Sequence, residues 1–403
     1  MKKLEKSVPV IRFKGFSEAW EQRKLRDIAN YRNGKAHEQV EDEDGKYTII
    51  NSKFISTNGK VQRYTNEQVE PIFDGEIAMV LSDLPNGKAL AKLFLVKEDG
   101  KYTLNQRIAG ITPNENIDPI FLNFRMNRNN YFLKFDSGVT QTNLSKSQVE
   151  NFIALYPTFD EQYKIGLFFT QLDDTIALHQ RKLDALKLMK KAFSQQIFPE
   201  NNRKKPKIRF TSFYEEWEQR KIGEYGYFYY GKSAPKWSVA QDATTPCVRY
   251  GELYTKFGPE IDIVHSYTNI DKSNLKFSSG NEVLVPRVGE NPLDFANCSW
   301  LSISNVAIGE MISVYNTEQY PLFIAYYFRS KMKYEFAKRV EGGNVSNLYY
   351  SYLEDILISV PSIEEQKKIA EFLNKIDITI NLLQNKLGRI KELKKAYLQN
   401  MFI

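Results

Sequence analysis

The sequence predicts an α+β fold assembled from one unit written twice, and three observations carry that prediction. Residues 11–25, IRFKGFSEAWEQRKL, return 197 positions later as residues 208–222, IRFTSFYEEWEQRKI, with ten of fifteen letters unchanged. A second block at 156–198, opening YPTFDEQYKIGLFF, returns 204 positions later at 360–402 as VPSIEEQKKIAEFL and its continuation. The residues between these blocks, about 130 in the first copy, barely match their counterparts. A repeat on this scale sets the architecture before any single residue is weighed. One frame holding two different inserts is what a protein with two distinct recognition surfaces needs.

In chain order, residues 1–157 form a first globular domain and residues 158–198 a long helix. Residues 199–207 are a linker, 208–361 a second domain, and 362–403 a second long helix. Within the domains, short β-rich pieces such as Tyr47–Ile50, Glu76–Leu81, Ala91–Val96 and Glu282–Val285 alternate with turn letters DG, NG and GP. An aromatic-rich helical piece, PIFLNFRMN at 119–127, corresponds to PLFIAYYFR at 321–329. Each domain is therefore a mixture of strands and short helices that feeds a long helix.

The long helices follow from spacing. Ile165, Phe169, Leu172, Ile176, Leu183, Leu186, Phe193 and Ile197 fall at alternating intervals of four and three, with polar His179 and Lys190 in the same series. The second copy reads Ile369, Leu373, Ile376, Ile380, Leu383, Leu387, Ile390, Tyr397 and Met401, with Lys394 in the place of Lys190. A 3.5-residue period held over about five heptads is a coiled-coil seam. At 1.5 Å per residue each helix is roughly 55–60 Å long. Pro157 and Pro361 stand just ahead of the helices. The FDEQ and IEEQ segments then place carboxylates in the first turn, where the helix dipole favours them. The linker PENNRKKPK is polar, charged and bounded by prolines.

Composition narrows the functional classes. Hydrophobic residues make up 42% of 403 and aromatics 13%, enough for two cores and against wholesale disorder. Two cysteines, Cys247 and Cys298, and three histidines fit a reducing cytoplasm and leave no zinc constellation. The N-terminus has a basic start without an apolar stretch, and no 18-residue apolar run exists, so no membrane partner is expected. Residues 177–207 hold nine Lys/Arg against two Asp/Glu, which accounts for the whole net charge of +7. A protein that coats phosphate without reading sequence would be basic throughout. Near-neutral domains joined by a basic helix favour sequence reading or partner-assisted DNA binding.

One motif is a decoy. Gly226-Tyr-Phe-Tyr-Tyr-Gly231-Lys232-Ser233 satisfies the letters of the phosphate-loop pattern. Such a loop needs small residues whose backbone N–H groups turn onto an anion, whereas YFYY prefers an extended strand. The other copy keeps Gly34-Lys35 but has Ala29 where Gly226 stands. A strand ending in a turn is the expectation. No catalytic or metal constellation survives: HExxH, GxSxG and Cys-x-x-Cys are absent, and Asn291-Pro292-Leu293-Asp294 fails the Asn/Asp-Pro-Pro-aromatic pattern of amino-methyltransferases at its third and fourth letters.

Taken together, several features resemble the specificity subunit of type I restriction-modification enzymes. These are the two FxxFxxxWEQRK openings, the two P-x-x-x-EQ-x-K-I helices, Asn105-Gln106-Arg107-Ile108, and Thr142-Asn143-Leu144-Ser145 with Ser346-Asn347-Leu348-Tyr349 ahead of the helices. The resemblance covers the entire chain. It implies two target-recognition domains separated by two antiparallel helices packed as a coiled coil, with pseudo-two-fold internal symmetry. It further implies a non-enzymatic, sequence-specific subunit that binds a bipartite double-stranded DNA site. Two modification subunits and, in the full complex, two restriction subunits are the implied partners. S-adenosylmethionine, ATP and Mg are implied only for those partners, and no cofactor for this chain.

Sequence reading needs Arg, Lys, Asn, Gln and hydroxyl side chains on exposed loops. In the first domain the candidates are Lys35, Ser82, Asn86, Lys88, Asn105, Gln106, Arg107, Gln141, Thr142, Asn143 and Lys146. In the second they are Lys232, Lys236, Arg249, Tyr250, Arg287, Asn291, Asn344, Ser346, Asn347 and Tyr349. Asn143 and Asn347 recur at one place and so are also candidates for capping the same turn. A self-sufficient DNA methyltransferase and a protein-only coiled-coil scaffold are the rival readings.

Overall fold

The computed structural model describes residues 8–402 apart from 38, 86, 201, 202, 234 and 241. Among the described residues the helices of eight residues or more are α1 (Pro119–Met126), α2 (Phe159–Gln196), α3 (Pro321–Lys331) and α4 (Ile363–Met401). No described helix is long and apolar enough to cross a membrane. The chain divides into two compact units. One runs up to Gln180 and takes in the residues from Lys386 onward, and the other is Arg181–Asn385. The division therefore falls inside the long helices: each unit owns the first part of one and the last part of the other.

In the first unit an antiparallel sheet runs in the order Ala29–Asn33, Ile108–Pro113, Ile77–Val80, Leu93–Leu95. Ile77–Val80 is buried at all four positions, so it reads as a continuous apolar run instead of an alternation. A second four-stranded sheet orders Tyr64–Thr65, Tyr47–Ile50, Tyr102–Leu104 and Pro71–Ile72, with its central pair parallel. Asp118 caps α1 by accepting from the Phe121 amide at 2.7 Å, and Pro119 supplies the first helical residue. Phe121, Leu122 and Met126 of α1 join Trp20, Phe169 of α2 and Met401 of α4 in one core.

The second unit has a five-stranded sheet ordered Gly226–Tyr230, Ile312–Thr317, Glu282–Pro286, Ser299–Leu301, Glu260–Ile261. Helix α3 is buried continuously from Pro321 to Phe328, which is why its sequence is apolar on every face. The phosphate-loop pattern is a strand: Gly226–Tyr230 pairs with Ile312–Thr317, and a Cβ on Gly226 would lie 2.2 Å from the Asn316 carbonyl oxygen. Glycine stands there because two backbones approach closely.

The long helices run antiparallel within each unit. In the first, Phe168 packs edge-on against Tyr397 with centroids 5.2 Å apart, and Lys394 bonds Asp173 at 2.5 Å. In the second, Phe193 meets Phe372 at 5.1 Å and Lys190 pairs with Asp377 at 2.5 Å. Along the seam Ile165, Phe169, Leu183, Ile369, Leu373, Ile376, Ile380 and Leu387 are buried. Leu172, Ile176, Leu186, Leu383 and Ile390 are half-buried. The two lysines that interrupt the apolar series are accommodated by carboxylates on the opposing helix, at repeat-related positions. His179 keeps both ring nitrogens shielded without a hydrogen-bond partner.

The repeated blocks hold each other. Glu21–Lys24 pairs antiparallel with Ile153–Tyr156, and Glu218–Lys221 pairs the same way with Leu357–Val360. Ile11 donates its amide to the Asn400 carbonyl at 3.0 Å, and Ile208 donates to Gln196 at 3.1 Å. Gln162 accepts from the Asp118 amide at 3.1 Å and donates to the Pro157 carbonyl at 2.9 Å. Gln366 does the same with Tyr320 at 2.9 Å and Pro361 at 2.8 Å. The EQ dipeptides therefore do more than the dipole argument assigns them. Asp160 and Glu364 are exposed in the first turn, whereas Glu161 and Glu365 are buried and neutralised by Arg12 and Arg209.

Candidate nucleic-acid interface

The first-unit candidates converge through backbone hydrogen bonds. The strand Ala29–Asn33 ends in Gly34-Lys35, where the Lys35 amide donates to the Leu104 carbonyl at 3.1 Å. A Cβ on Gly34 would lie 2.1 Å from the Asn105 carbonyl oxygen, so glycine brings Lys35 against the 105–107 turn. There the Asn105 side chain accepts from the Gln106 amide at 2.8 Å, and exposed Arg107 adopts φ +67. A non-glycine residue in this region stores roughly 1–3 kcal/mol of strain. The Arg107 carbonyl accepts from the Leu81 amide at 2.9 Å, and Leu144 donates to the Leu81 carbonyl at 2.8 Å.

Next to Leu81 the two-residue strand Ser82–Asp83 pairs with Thr142–Asn143, setting Asn143 opposite Ser82. Ser82 and Thr142 are buried, and their hydroxyls serve the fold: Gln141 donates to Ser82 Oγ at 2.6 Å and Thr142 donates to Asp136 at 3.2 Å. Asn143 is exposed and caps nothing; the following turn is capped by Ser145, which accepts from the Gln148 amide at 3.2 Å. Lys88 is exposed on a loop folded around Asp83, whose carboxylate accepts from the amides of Leu84, Ala89 and Leu90 at 2.9, 2.6 and 3.1 Å. Asn86 lies outside the described residues. Lys146 sits 5.8 Å over the Tyr31 ring. Burial, then the Glu150 charge, pushes the Tyr31 hydroxyl up to about 12, so it stays protonated. Lys35 is exposed but engaged by Glu70 at 3.0 Å.

The second unit repeats this construction with other side chains. The Lys232 amide donates to Ile308 at 2.9 Å, Arg287 donates to the Met311 carbonyl at 3.1 Å, and Leu348 donates to the Arg287 carbonyl at 2.8 Å. Val288–Gly289 pairs with Ser346–Asn347, which also pairs with Glu341–Gly342, leaving exposed Asn344 at the hairpin tip. Arg287 thus occupies the place of Leu81, Met311 that of Arg107, and Asn347 that of Asn143. A cleft of about 300 Å³ is lined by Lys236, Arg249, Tyr250 and Met311. On the other side of Tyr250 a cleft of about 350 Å³ is lined by Val288, Gly289 and Asn291. Tyr349 and Tyr230 flank Arg287, with the guanidinium 5.5 and 4.5 Å from their ring centroids. Ser346 is buried, and Arg249 Nε is shielded without a hydrogen-bond partner.

In each unit backbone bonds and short strand pairs bring part of the candidate set together, Lys35, Ser82, Arg107 and Asn143 in the first and Lys232, Arg287 and Asn347 in the second, while Ser82, Thr142 and Ser346 are buried. Sequence reasoning missed Asp83, Tyr230 and Met311. Asp83 stands directly ahead of the turn letters Leu-Pro-Asn-Gly, a signal for a carboxylate that organises a loop. Tyr230 was legible as every second residue of YFYY, on the same face as Phe228.

Against known proteins, the family model described as the type I restriction modification DNA specificity domain matches residues 17–188 and again 214–392. The chain belongs to that family, and it carries the family's domain twice. It is similar to a putative type I restriction enzyme specificity subunit, MjaX, of Methanocaldococcus jannaschii, at 25% identity over 94% of this chain and 91% of the relative. The MjaVIII specificity subunit of the same organism is 24% identical over the same shares. Among solved structures, the type I restriction-modification S subunit from M. genitalium superposes with a TM-score of 0.62 at 12% identity, covering 98% of this chain and 99% of that one. A chain from a study of type I R-M complex assembly and conformational transition gives 0.50 at 16% identity, covering 94% and 96%. These likenesses establish a shared fold.

Proposed function

We propose that the chain is the sequence-specific DNA-binding specificity subunit of a type I restriction-modification complex, each unit reading one half of a bipartite site. The observation that carries this reading is the doubled interface. One backbone construction occurs in both units, while Leu81 is matched by Arg287, Arg107 by Met311, and Lys146 by Tyr350. Phosphate contacts alone require no such difference, whereas reading two different base sequences does.

Chemistry then falls to partner subunits, with S-adenosylmethionine, ATP and Mg bound there and none on this chain. Two copies of the modification subunit fit the repeat, because exposed apolar residues recur at matching positions. Leu178 and Leu393 of the first unit correspond to Leu382 and Met189 of the second, all between 43% and 64% exposed. Solvent-facing apolar residues, three leucines and Met189, at equal places in both copies suit one partner bound twice. Two restriction subunits would complete the assembly, in the cytoplasm.

Gel shift of the chain with its modification partner tests the reading. One bipartite duplex should bind at least about 10³-fold more tightly than random duplex. Equal affinity for all duplexes, or methyl transfer by the isolated chain, would overturn it.

A further inference from the structure

Position 287 is one of the places where the two interfaces differ in charge. The first unit has Leu81 there, buried and apolar; the second has Arg287, half-buried, with no ion pair to any described residue. Its Nε is shielded from solvent without a hydrogen-bond partner. A cation that only filled this space would lose hydration for nothing that a leucine could not supply.

What holds Arg287 is a column of rings. The guanidinium lies 4.5 Å from the Tyr230 centroid, Tyr230 is 4.6 Å from Tyr350, and Tyr350 stacks on Phe228 at 5.6 Å with planes 3° apart. Phe228 stacks on Tyr315 at 4.5 Å, and the fully buried Tyr315 donates to the Ile222 carbonyl at 2.8 Å. Tyr349 is a second ring against the guanidinium, its centroid at 5.5 Å. The backbone of Arg287 is pinned by bonds to Met311 at 3.1 Å and Leu348 at 2.8 Å. The column is rooted in the core and ends at the recognition surface. In the first unit the counterparts of Tyr230, Tyr349 and Tyr350 are Asn33, Ser145 and Lys146, so no such column exists there.

A planar fork braced by aromatic faces, and not engaged by a carboxylate, is prepared for bidentate hydrogen bonding. The commonest specific base contact of that form is arginine to O6 and N7 of guanine. Bracing lowers the entropy lost when the fork engages its base. We propose that Arg287 reads the guanine of one G·C pair in the half-site taken by the second unit, with Tyr230 and Tyr349 as positioning residues. This assignment rests on the DNA-recognition reading above.

The test uses the full chain in complex with its modification partner. Binding is measured against duplexes carrying every single base-pair change in the second half-site, and modified sites are mapped in a host. Arg287→Ala should lower discrimination at one G·C position by roughly 10- to 100-fold and leave the first half-site intact. Arg287→Lys should lose most of the same discrimination, because it keeps charge without the fork. Tyr230→Phe should retain the discrimination, and Tyr230→Leu should weaken it at that one G·C position while the other positions of the second half-site stay unchanged, a local loss that a role in folding alone would not produce. Unchanged discrimination at the other positions of the second half-site shows that the second unit of each variant is folded; if Arg287→Ala does not fold, Arg287→Lys carries the test. Unaltered discrimination throughout the second half-site would overturn the assignment. So would a uniform loss on all sequences with a shallower salt dependence, the mark of a phosphate contact. Absence of any bipartite specificity in the wild-type complex would instead overturn the functional reading, and the assignment with it.

Discussion

Arg12 donates from Nε and Nη2 to the two oxygens of Glu161, each at 2.7 Å, and the Glu161 side chain has no solvent exposure. Arg209 and Glu365 repeat the pair with the same two distances. One partner comes from the repeated opening segment and the other from the start of a long helix. The two duplicated blocks recur together because each neutralises a charge the other buries.

Breaking this pair from the arginine side should be costly. Arg12→Ala leaves Glu161 buried with only the Trp20 indole at 3.3 Å, and the expected loss is about 3–5 kcal/mol. Glu161→Gln, which removes the charge but keeps hydrogen-bonding atoms, should cost less. Urea unfolding monitored by tryptophan fluorescence compares the two, and a larger loss for Glu161→Gln would contradict the account.

Acid should weaken both units through two buried carboxylates. Burial alone pushes Glu76 up, but bonds from Arg32, Thr112 and the Phe73 amide, together with the Arg32 charge, hold it below the usual carboxylate value. Glu252 is likewise held low, its burial outweighed by Ser266, the Arg249 amide and Lys256. A lowered folded pKa means stability that is complete above the unfolded value, near 4.3, and lost as pH falls through the folded value. Urea midpoints should be flat from pH 7 to 5 and fall below about pH 4.5. Glu76→Gln and Glu252→Gln should each reduce that fall.

Seam charges should separate by depth. Ile376 is 8% exposed, so Ile376→Asp should cost about 3 kcal/mol or more. Leu186 is half-buried, and Leu186→Asp should cost about 1–2 kcal/mol. Equal melting temperatures for wild type and both variants would contradict the helix packing.

The first half of the chain should dimerise. Residues 1–198 lack the end of α4, which gives the first unit Asn400 as acceptor for Ile11 at 3.0 Å, Met401 in its core, and Phe402 stacked on Phe169 at 5.6 Å. Gln196, Ile197 and Phe198 are the repeat counterparts of those residues, and in the second unit Gln196 accepts from Ile208 at 3.1 Å. A second copy of 1–198 can therefore supply what α4 supplied, in a two-fold pair. Sedimentation should give a dimer at tens of micromolar, and with modification subunits the pair should direct modification to an inverted repeat of the first half-site. A monomer without palindromic modification would contradict this.

Much of the frame was legible because its signals are long. The heptads from Ile165 to Ile197 and from Ile369 to Met401 specify two helices, and the aromatic runs at Pro119 and Pro321 specify two more. Partners were not legible, because periodicity names a face and not what covers it. Glu161 and Glu365 look like ordinary first-turn acids, and Lys190 and Lys394 look like seam defects until Asp377 and Asp173 are seen opposite them. The interface was legible as composition only. Ser82–Asp83 and Thr142–Asn143 are strands of two residues, too short to show alternation, and the buried hydroxyls of Ser82 and Thr142 could not be told from the exposed amide of Asn143. The ring column under Arg287 joins residues from Phe228 to Tyr350, a separation that no local pattern spans.

The central claim is that each unit reads its own half of the site. Exchanging residues 26–150 for the corresponding insert of a relative, in a host that also makes the modification subunit, tests it most directly, with modified bases mapped across the genome by sequencing. The account predicts a new sequence in one half of the recognised site, with the other half and the spacer unchanged. Alteration of both halves, or retention of the original site, would contradict it.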